Sequence, residues 1–447
     1  MRSSITRVVK GWSIRQAFPG WWIVLATGFV TFWAHGYYTQ GFSALFKPIS
    51  TDLGLSRATT SVASSIGSFE AGIESPLAGW FTDRFGPRRV IFFGTFLMGL
   101  GLMSMWLVNS TWAFFLVWGG IVATGLNVGM AIPVDKAIAN WFVRKRGLAL
   151  SMRALMQGLA TIAVLPMIAW LLTVVSWKVA CLFGGAVMWV VGLPLVWTLV
   201  KDQRPEYYGM MPDGAARSPE SEGDRAEMIR KGIQYAEKAQ EFEFTLRQAI
   251  KTKAYWLFTA AWACSMLVTG PLMVHMISFL TDLGVTPVRA ALMMSLSSAS
   301  AIPTRLLGGW LADRAGKQRM RFVAVGAFVL MLAGVVVFRL LGTVTAAFIM
   351  VLMYYLGFTA GIPLASAIRV RYFGRKSIGS VQGSAVMIMM PFTVLAPILV
   401  GWIYDRTGSY GGAFNLFIGL LILASLLMLF ATPPRPPAET GDISAIF

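Results

Sequence analysis

The stretch Gly79–Arg89, GWFTDRFGPRR, occurs a second time as GWLADRAGKQR at Gly309–Arg319. The two copies lie 230 residues apart, and Gly, Trp, Asp, Arg, Gly and the final Arg recur at the same spacing. Each copy stands between two long apolar runs. A short charged turn with glycine between apolar runs is typical of a loop that joins two membrane helices. The chain is therefore predicted to consist of two related halves.

A second pair of matching loops supports this duplication. WFVRKRG begins at Trp141 and YFGRKSI at Tyr372, 231 residues later, and the two share Phe, Arg and Lys. Two independent pairs at nearly the same offset are hard to obtain by chance. Duplicated sets of membrane helices are typical of secondary transporters.

The composition is that of a membrane protein. Of the 447 residues, 56% are hydrophobic and 13% are charged, whereas about 25% of residues are charged in a soluble domain. A soluble protein of this length could not bury so much apolar surface, so the chain is predicted to cross the lipid bilayer many times. The net charge of +18 does not indicate nucleic-acid binding, because the cations lie in short loops between apolar runs.

Twelve apolar runs are long enough to cross a bilayer, which requires about 20 residues for a hydrocarbon core of about 30 Å. Six precede and six follow a long polar segment. The sequence thus predicts an all-α membrane protein with twelve transmembrane helices in two pseudo-symmetric six-helix halves. The predicted spans begin near Trp21, Ala58, Val90, Trp112, Gly147, Val179, Tyr255, Arg289, Phe322, Val344, Ile378 and Ala413.

The same runs divide the chain into five parts. We expect a cytoplasmic N-terminal tail at 1–20, a six-helix bundle at 21–200, a cytoplasmic linker with a surface helix at 201–253, a second six-helix bundle at 254–432 and a cytoplasmic tail at 433–447. The linker holds ten acidic residues and ten Lys or Arg. This composition favours a plain connection between the halves, and a regulatory role is the alternative.

The distribution of cations predicts the orientation. The N-terminal tail and the loops after spans 2, 4, 8 and 10 each carry three or four Lys or Arg, among them Arg369 after span 10. The loop after span 3 has none, and the loop after span 5 has Lys178 alone. By the positive-inside rule, both termini and the even-numbered loops lie in the cytoplasm. We therefore expect a multi-pass protein of the plasma (inner) membrane.

These features resemble the major facilitator superfamily. Its loop signature, G-x-x-x-D-R-x-G-x-R-R, is matched from Gly79 to Arg89 and recurs in part from Gly309. Within that superfamily the chain resembles the branch of the monocarboxylate transporters and oxalate–formate antiporters. The resemblance implies the major facilitator fold and secondary active transport by alternating access. The strings that carry it are RPEYYGMMPDG at 204–214, VHMISFLTDLG at 274–284, TRLLGGWLADR at 304–314 and GWIYDRTGSYGGAF at 401–414.

The repeated loop is predicted to control conformation rather than to bind substrate. A carboxylate at the cytoplasmic face can meet a helix N-terminus, and neighbouring arginines can bridge the two halves. In the resembling superfamily this loop latches the outward-open state, which implies the same role for the aspartate and the arginine of each copy. The predicted gating residues are Gly79, Asp83, Arg84, Arg88, Asp313 and Arg314.

Arg305 is the leading candidate for substrate binding. A charge inside a span costs several kcal/mol unless it is paired or faces water. Arg305 precedes Asp313 by eight residues, which places it about 12 Å from the inner loop at about 1.5 Å per residue, near the midplane. A guanidinium can bind a carboxylate through two hydrogen bonds, and in the resembling family an arginine of span 8 does so. A snorkelling or structurally paired arginine is the alternative.

Glu70 and Glu74 are candidates for proton coupling. They lie four residues apart on span 2 and share one helix face. The half-repeat places Glu74 and Arg305 at nearly the same depth, nine and eight residues before the aspartates of the two loops. Carboxylates inside membranes often form proton relays. The alternative is a packing pair that binds neighbouring helices or Arg153.

Uncharged polar residues complete the predicted site. Their side chains suit orienting contacts to a small hydroxy acid, and helix packing is the alternative for each. His275, near the outer end of span 7, is a third candidate for proton coupling, and an extracellular gate or a packing histidine is the alternative. The further substrate-binding candidates are Tyr37, Tyr38, Gln40, Asn127, Tyr354 and Tyr355.

Three positions depart from the resembling family. The animal monocarboxylate branch has an aspartate one turn before the span 8 arginine and a lysine in span 1, where this chain has Ala301 and Gln40. The oxalate–formate antiporter has a second cation on span 11, where this chain has Met389. A single cavity cation favours a monoanion, because a second carboxylate would lose its water without gaining a partner.

The sequence therefore predicts a proton-coupled transporter of a small monocarboxylate, such as lactate or pyruvate. The alternatives are a facilitator or exchanger of another organic anion without proton coupling, and a transporter-fold sensor. No hydrolase motif, metal-ligand spacing or Walker A sequence indicates an enzyme or an ATP-driven pump. Cys181 and Cys264 lie in apolar runs and indicate no disulfide framework. We expect the lipid bilayer, the organic anion and protons as partners, with no cofactor, no metal and no nucleic acid. A monomer is compatible with these features.

Overall fold

The computed structural model describes residues 18–55, 57–215, 230–232, 234–235, 242–300 and 302–435. Within these ranges, the side chains of 43, 57–65, 68, 161, 278, 287–288, 291 and 298 lie outside the description. The surface helix predicted within 201–253 falls largely on residues outside the described ranges, as do most of the two predicted tails. Ala301 also lies outside them.

Long apolar helices dominate the described part of the chain. Nine of them are long and apolar enough to cross a membrane by length and composition. One of the nine, Leu292–Leu341, contains two passes, because Gly316 at φ 65° and ψ 175° breaks the helix between them. Two further long helical segments, at Pro19–Asp52 and Arg57–Phe85, precede the nine. The described residues thus form twelve passes, as predicted, and we label these α1 to α12.

The twelve passes follow the apolar runs of the sequence. In the first half, α1 joins Pro19–His35, a π-helical turn at Gly36–Gln40 and Gly41–Asp52, and the others are α2 at Arg57–Phe85, α3 at Pro87–Leu107, α4 at Thr111–Trp141, α5 at Arg146–Val174 and α6 at Trp177–Leu199. In the second half, α7 is Lys253–Asp282, α8 is Pro287–Ser300 together with 302–315, α9 is 317–341, α10 is Val344–Phe373, α11 is Ile378–Thr407 and α12 is Gly411–Phe430.

The loop between α8 and α9 is shorter than predicted. Lys317, Arg319 and Arg321 were expected in this loop, but they lie in the first turns of α9, since Gly316 alone interrupts the helix. Lys317 is buried there, with 6% of its surface exposed. An apolar run in the sequence marks only the lipid-facing part of a helix. A prediction based on it leaves out the polar turns by which the helix continues.

Serine and threonine side chains begin four of the membrane helices. Ser110, Ser176, Thr252 and Thr343 accept hydrogen bonds from backbone N–H groups in the first turns of α4, α6, α7 and α10. Such caps satisfy donors that have no partner within the helix. Neither α5 nor α11 is capped by the residue before its first turn. Their caps come from the opposite half of the molecule.

The two halves pack against each other through α2 with α11 and through α5 with α8. Because α8 is the counterpart of α2 and α11 is the counterpart of α5, the half-repeat relates these two contacts to each other. Both contacts lead to the end of the bundle that carries Asp83 and Asp313. We call this the basic end, and the sequence predicts it to be cytoplasmic.

Large apolar side chains cover the outer surface of the bundle. Trp170 is 61% exposed, Val190 73% and Ile398 64%. An apolar surface of this kind is unfavourable in water and favourable against lipid tails. The outer surface therefore fits a hydrocarbon environment, which leaves the polar chemistry to the interior and to the two ends.

Candidate functional site

At the basic end, Asp83 of α2 caps the first turn of α11. Its carboxylate accepts hydrogen bonds from the backbone N–H groups of Gly379 at 3.1 Å and Ser380 at 2.8 Å, and from the Ser380 hydroxyl at 2.6 Å. The ammonium group of Lys136 donates to the same carboxylate at 2.7 Å. A negative charge at a helix N-terminus is favourable because it meets unpaired N–H donors and the positive end of the helix dipole.

Asp313 makes the equivalent contact in the other direction. It lies at the end of α8 and accepts hydrogen bonds from the N–H groups of Gly147 at 2.8 Å and Leu148 at 2.9 Å, in the first turn of α5. Arg371 pairs with it at 3.1 Å. Each half thus provides the carboxylate that caps a helix of the other half.

Glycines bring the backbones of the two halves into direct contact. A Cβ atom built on Gly79 would lie 2.2 Å from the carbonyl oxygen of Gly379. A Cβ atom built on Gly309 would lie 2.1 Å from the carbonyl oxygen of Gly147. Only glycine permits such an approach, so the glycine that begins each copy of the repeated loop has a steric cause. The halves are closed against each other at the basic end.

The arginines of the repeated loop lie differently from its aspartates. Arg84 and Arg314 each lie over the ring of the tryptophan four residues earlier, at 5.3 Å and 5.2 Å. Arg88 lies over a tryptophan ring of α6 at 4.1 Å. These contacts are within one half, and the cations that meet the two aspartates are Lys136 and Arg371. A bridging role for the three arginines stays a prediction.

Arg305 lies where α8 meets α5. Its Nη1 atom donates to the backbone oxygen of Ala154 at 2.7 Å. A Cβ atom on Gly158 would lie 2.1 Å from that nitrogen, so the missing side chain makes room for the guanidinium. The Nε atom of Arg305 is buried, and among the described residues it has no hydrogen-bond partner. The charge is therefore held where the two halves meet.

The two glutamates of α2 have different surroundings. Glu74 accepts hydrogen bonds from the hydroxyl of Thr124 at 2.6 Å and from the amide of Asn127 at 3.3 Å, both on α4. Asn127 also donates to the backbone oxygen of Gly67 at 3.0 Å. The Oε2 atom of Glu70 is buried and has no hydrogen-bond partner in the described part of the chain. The structure thus groups three of the predicted site residues on α2 and α4.

The three candidates on α1 lie within its π-helical turn at Gly36–Gln40, a type of local distortion that is frequent at functional sites. Tyr37 is completely buried, and its hydroxyl donates to the backbone oxygen of Ala180 at 3.1 Å within the same half. The ring of Tyr38 stacks on Trp118 at 5.5 Å. Gln40 is partly exposed. The contact made by Tyr37 is one of helix packing.

The candidates of the second half make their hydrogen bonds within that half. The Tyr354 hydroxyl is hydrogen-bonded to the hydroxyl of Thr269 at 2.6 Å, and the Tyr355 hydroxyl contacts a methionine sulfur of α7 at 3.5 Å. His275 is hydrogen-bonded to the backbone oxygen of Pro397 at 3.1 Å, which joins α7 to α11. These contacts tie helices of the second half together, so the substrate and proton roles of these residues stay predictions.

A cavity of about 240 Å³ lies between the halves. Asp135 and Arg153 from the first half line it, together with Arg369 from the second. Arg369 was predicted in the loop after span 10, but α10 continues to Phe373 and buries it. Arg153 and Arg369 are thus two buried cations at this cavity, and because Arg305 does not line it, the expectation of a single cation at the substrate site stays a prediction. The sequence offered one signal for these residues. Their charges lie within three turns of an apolar run, and a helix often continues past the end of such a run.

Comparison with known proteins agrees with this architecture. The model of the Major Facilitator Superfamily matches residues 24–392, which is most of the chain. The chain belongs to the major facilitator superfamily. It is 25% identical over 431 residues to monocarboxylate transporter 13 of Bos taurus, which covers 94% of this chain and 92% of that protein. It is 24% identical over 289 residues to the oxalate:formate antiporter of Oxalobacter formigenes, with 64% and 62% covered.

Solved structures of other superfamily members show the same fold. The proton:xylose symporter XylE, bound to 6-bromo-6-deoxy-D-glucose, superimposes with a TM-score of 0.69 at 15% identity over 92% of this chain and 96% of that one. The human organic anion transporter MFSD10 does so with a TM-score of 0.67 at 12% identity over 92% and 100%. The predicted superfamily, its likeness to the monocarboxylate branch and the twelve-helix fold are confirmed. This major facilitator protein is a multi-pass membrane transporter and not an enzyme.

Proposed function

We propose that this transporter moves a small monocarboxylate, of the lactate or pyruvate type, by alternating access and together with protons. The observation that carries the proposal is Arg305, a guanidinium between the two halves with a buried Nε donor that has no partner among the described residues. A carboxylate matches such a group in charge and geometry. Relatives named as monocarboxylate transporters and as an oxalate:formate antiporter support this substrate class.

In this proposal the basic end faces the cytoplasm, and the structure corresponds to the outward-open state of a plasma membrane protein. The helix caps made by Asp83 and Asp313 stabilise closure of that end. The bundles at 21–200 and 254–432 move as rigid halves, joined by the linker at 201–253. Inward opening requires both caps to break. The bound substrate must therefore make more favourable contacts in the inward-open state than in the outward-open state.

Glu70 is the best candidate for the coupled proton. Glu74 is held by two donors of α4, whereas Glu70 has a buried oxygen without a partner in the described residues. A carboxyl that lacks donors is more easily kept protonated inside a membrane. His275, bound to a backbone oxygen of α11, fits an outer gate better than a proton relay.

Uptake of labelled lactate by proteoliposomes, with and without an imposed proton gradient, tests the proposal. We expect the wild type to accumulate lactate. The rate of lactate uptake by Arg305→Ala should be about 10- to 100-fold lower, since hydrogen bonds to charged groups are worth about 1.5–3 kcal/mol. The matched control is Arg339→Ala, which removes an exposed arginine of α9 that binds Asn415.

Three results would contradict parts of the proposal. Wild-type transport by Arg305→Ala would remove the site assignment. Lactate flux that is indifferent to the proton gradient would favour a facilitator or an exchanger. Lactate binding without flux would favour a transporter-fold sensor.

A further inference from the structure

The two ends of the linker lie against the basic end of the bundle. We call residues 202–214, which follow α6, the first arm and residues 242–245, which precede α7, the second arm. The indole N–H of Trp141 in α4 donates to the backbone oxygen of Gln203 at 3.1 Å. The backbone N–H of Phe244 donates to the backbone oxygen of the last residue of α10 at 3.0 Å. Each arm is therefore attached to one half of the molecule.

Asp213 attaches the first arm to the loop between α4 and α5. Its carboxylate accepts hydrogen bonds from the backbone N–H groups of Val143 at 3.2 Å, Arg144 at 2.8 Å and Lys145 at 3.0 Å. Asp213 has a φ of 59°, which is uncommon for a residue other than glycine. Such a conformation persists where its surroundings hold it, and the three hydrogen bonds do so here.

Glu243 makes the equivalent contact in the second half. It accepts hydrogen bonds from the backbone N–H groups of Arg375 at 2.8 Å and Lys376 at 2.6 Å, in the loop between α10 and α11. These two positions lie 231 residues after Arg144 and Lys145, so the half-repeat makes the two loops equivalent. One linker thus supplies a carboxylate to the same loop of each half.

Two ion pairs of opposite direction join the arms across the basic end. Arg204 of the first arm pairs with Glu243 of the second. Glu206 of the first arm lies with its Oε1 atom 3.8 Å from Nη2 of Arg375, and both side chains are buried. Withdrawal of one partner from a buried pair is strongly unfavourable, because it leaves a charge without compensation. Separation of the two halves at this end would therefore break both pairs.

We propose that the linker is a clamp that holds the basic end closed. Asp213 anchors its first arm to one half, and Glu243 anchors its second arm to the other. The ion pairs of Arg204 and Glu206 join the arms, and opening of the basic end must break them. The clamp adds to the helix caps made by the repeated loop. It goes beyond the transport function proposed above, in which the linker only joins the two bundles.

Distances between pairs of spin labels on the purified full-length protein test the clamp. Labels at Arg89→Cys and Arg319→Cys report on the basic end, since both positions are exposed beside the repeated loop and correspond to each other in the half-repeat. Labels at Thr51→Cys and Thr286→Cys, exposed at the ends of α1 and α7, report on the opposite end. The native cysteines are both buried, so labelling is directed to the introduced pairs.

The variants remove one ion pair at a time. Arg204→Gln breaks the pair with Glu243, and Glu206→Gln breaks the other pair. Arg204→Lys keeps the charge of the first. The matched control is Lys201→Gln, which removes a cation three residues before Arg204 whose ammonium group donates to the backbone oxygen of Thr198 within the first half. Gel filtration verifies that each variant is folded. Arg204 is partly exposed, so Arg204→Gln decides the test if the buried exchange Glu206→Gln prevents folding.

We expect Arg204→Gln and Glu206→Gln each to raise the ratio of open to closed molecules at the basic end by about tenfold or more. The opposite end should narrow in the same variants, because the two ends open alternately. Lys201→Gln and Arg204→Lys should keep the wild-type distances. Wild-type distances in Arg204→Gln and Glu206→Gln would overturn the proposal. Widening of the basic end without narrowing of the opposite end would overturn it as well, since it would indicate only a local loss of structure.

The distances are measured without substrate. They therefore do not depend on whether the transporter carries lactate or couples its movement to protons. Failure of the proposed transport function would leave the clamp unaffected, and failure of the clamp would leave the assignment of Arg305 unaffected.

Discussion

Glu70 and Glu74 lie one turn apart on α2, yet their surroundings differ. Glu74 is hydrogen-bonded to two side chains of α4, whereas an oxygen of Glu70 is buried without a partner in the described residues. A carboxylate that only accepts hydrogen bonds can be replaced by an amide with little loss of function, because the amide keeps one acceptor. A carboxyl that must take up and release a proton loses that capacity completely.

We therefore expect Glu70→Gln to abolish lactate accumulation driven by a proton gradient while exchange of lactate across the membrane continues. Glu74→Gln is the matched change one turn away, and it should keep most of the gradient-driven accumulation. Uptake and exchange by proteoliposomes, measured at one internal pH and two external pH values, distinguish these outcomes. If both single variants and the double variant accumulate lactate like the wild type, neither glutamate couples protons.

At the scale of single residues, the sequence predicted which charged residues lie inside the membrane helices better than it predicted the groups around them. Arg305, Glu70 and Glu74 were recognised because each is a charged residue inside an apolar run. Asp135 and Arg369 were missed because they lie where an apolar run gives way to a basic loop, and the helices continue past that boundary. Depth in the molecule depends on where a helix ends, and the hydropathy of a run does not reveal this.

At the scale of helices, two glycine contacts determine how closely the halves can approach at the basic end. Gly79 meets Gly379 and Gly309 meets Gly147, and in each pair an added Cβ atom would overlap a backbone oxygen. Backbone atoms cannot rotate out of the way as a flexible side chain can. The closed arrangement of this end is therefore sensitive to a single methyl group.

We expect Gly309→Ala to shift the protein toward the state that is open at the basic end. Overpacking costs about 1–3 kcal/mol, which corresponds to a change of about five- to 150-fold in the ratio of closed to open molecules. Electron–electron distances between spin labels on the loops after α2 and α10 measure this ratio. Gly326→Ala, where no atom lies within 4 Å of the added carbon, is the control. Identical distance distributions for both variants would show that the contact does not limit closure.

The half-repeat predicted that Asp83 and Asp313 meet helix N-termini, but not which helices. Gly147 and Gly379 lie 166 and 296 residues from their partners in the chain, and only the packing of two halves brings them together. The duplication fixes that α2 and α8 behave alike. Which helix of the other half each of them contacts depends on how the two halves pack in three dimensions. A repeat in the sequence does not specify this packing.

At the scale of the whole molecule, the two ends of the linker converge on the loop between α10 and α11. Glu243 accepts hydrogen bonds from the backbone N–H groups of Arg375 at 2.8 Å and Lys376 at 2.6 Å, and it pairs with Arg204 at the other end of the linker. Arg375 also donates to the backbone oxygen of Asn140 in the first half at 3.0 Å. The linker thus contacts the closed basic end through the loop between α10 and α11.

The charge of Glu243 makes this contact dependent on pH. Burial opposes ionisation, but the charges of Arg204 and Arg375 and the hydrogen bond from Lys376 outweigh it, so the pKa of this carboxyl lies below its ordinary value of 4.5. A group whose pKa is lowered by folding stabilises the folded protein above its unfolded pKa. That stabilisation is lost as the pH falls through the folded pKa.

We therefore expect Glu243→Gln to lower the melting temperature at pH 7 and to have progressively less effect as the pH falls below about 4.5. Asp405→Asn is the control, because Asp405 is exposed on α11 at the opposite end of the bundle. Thermal unfolding in detergent, recorded from pH 7 to pH 3 for both variants and the wild type, measures the difference. Equal melting temperatures at pH 7, or a difference that persists unchanged to pH 3, would show that the ionised Glu243 does not hold the linker. A difference that fades with acid, together with a wider basic end in the Glu243→Gln variant, would instead establish the linker as part of the gate.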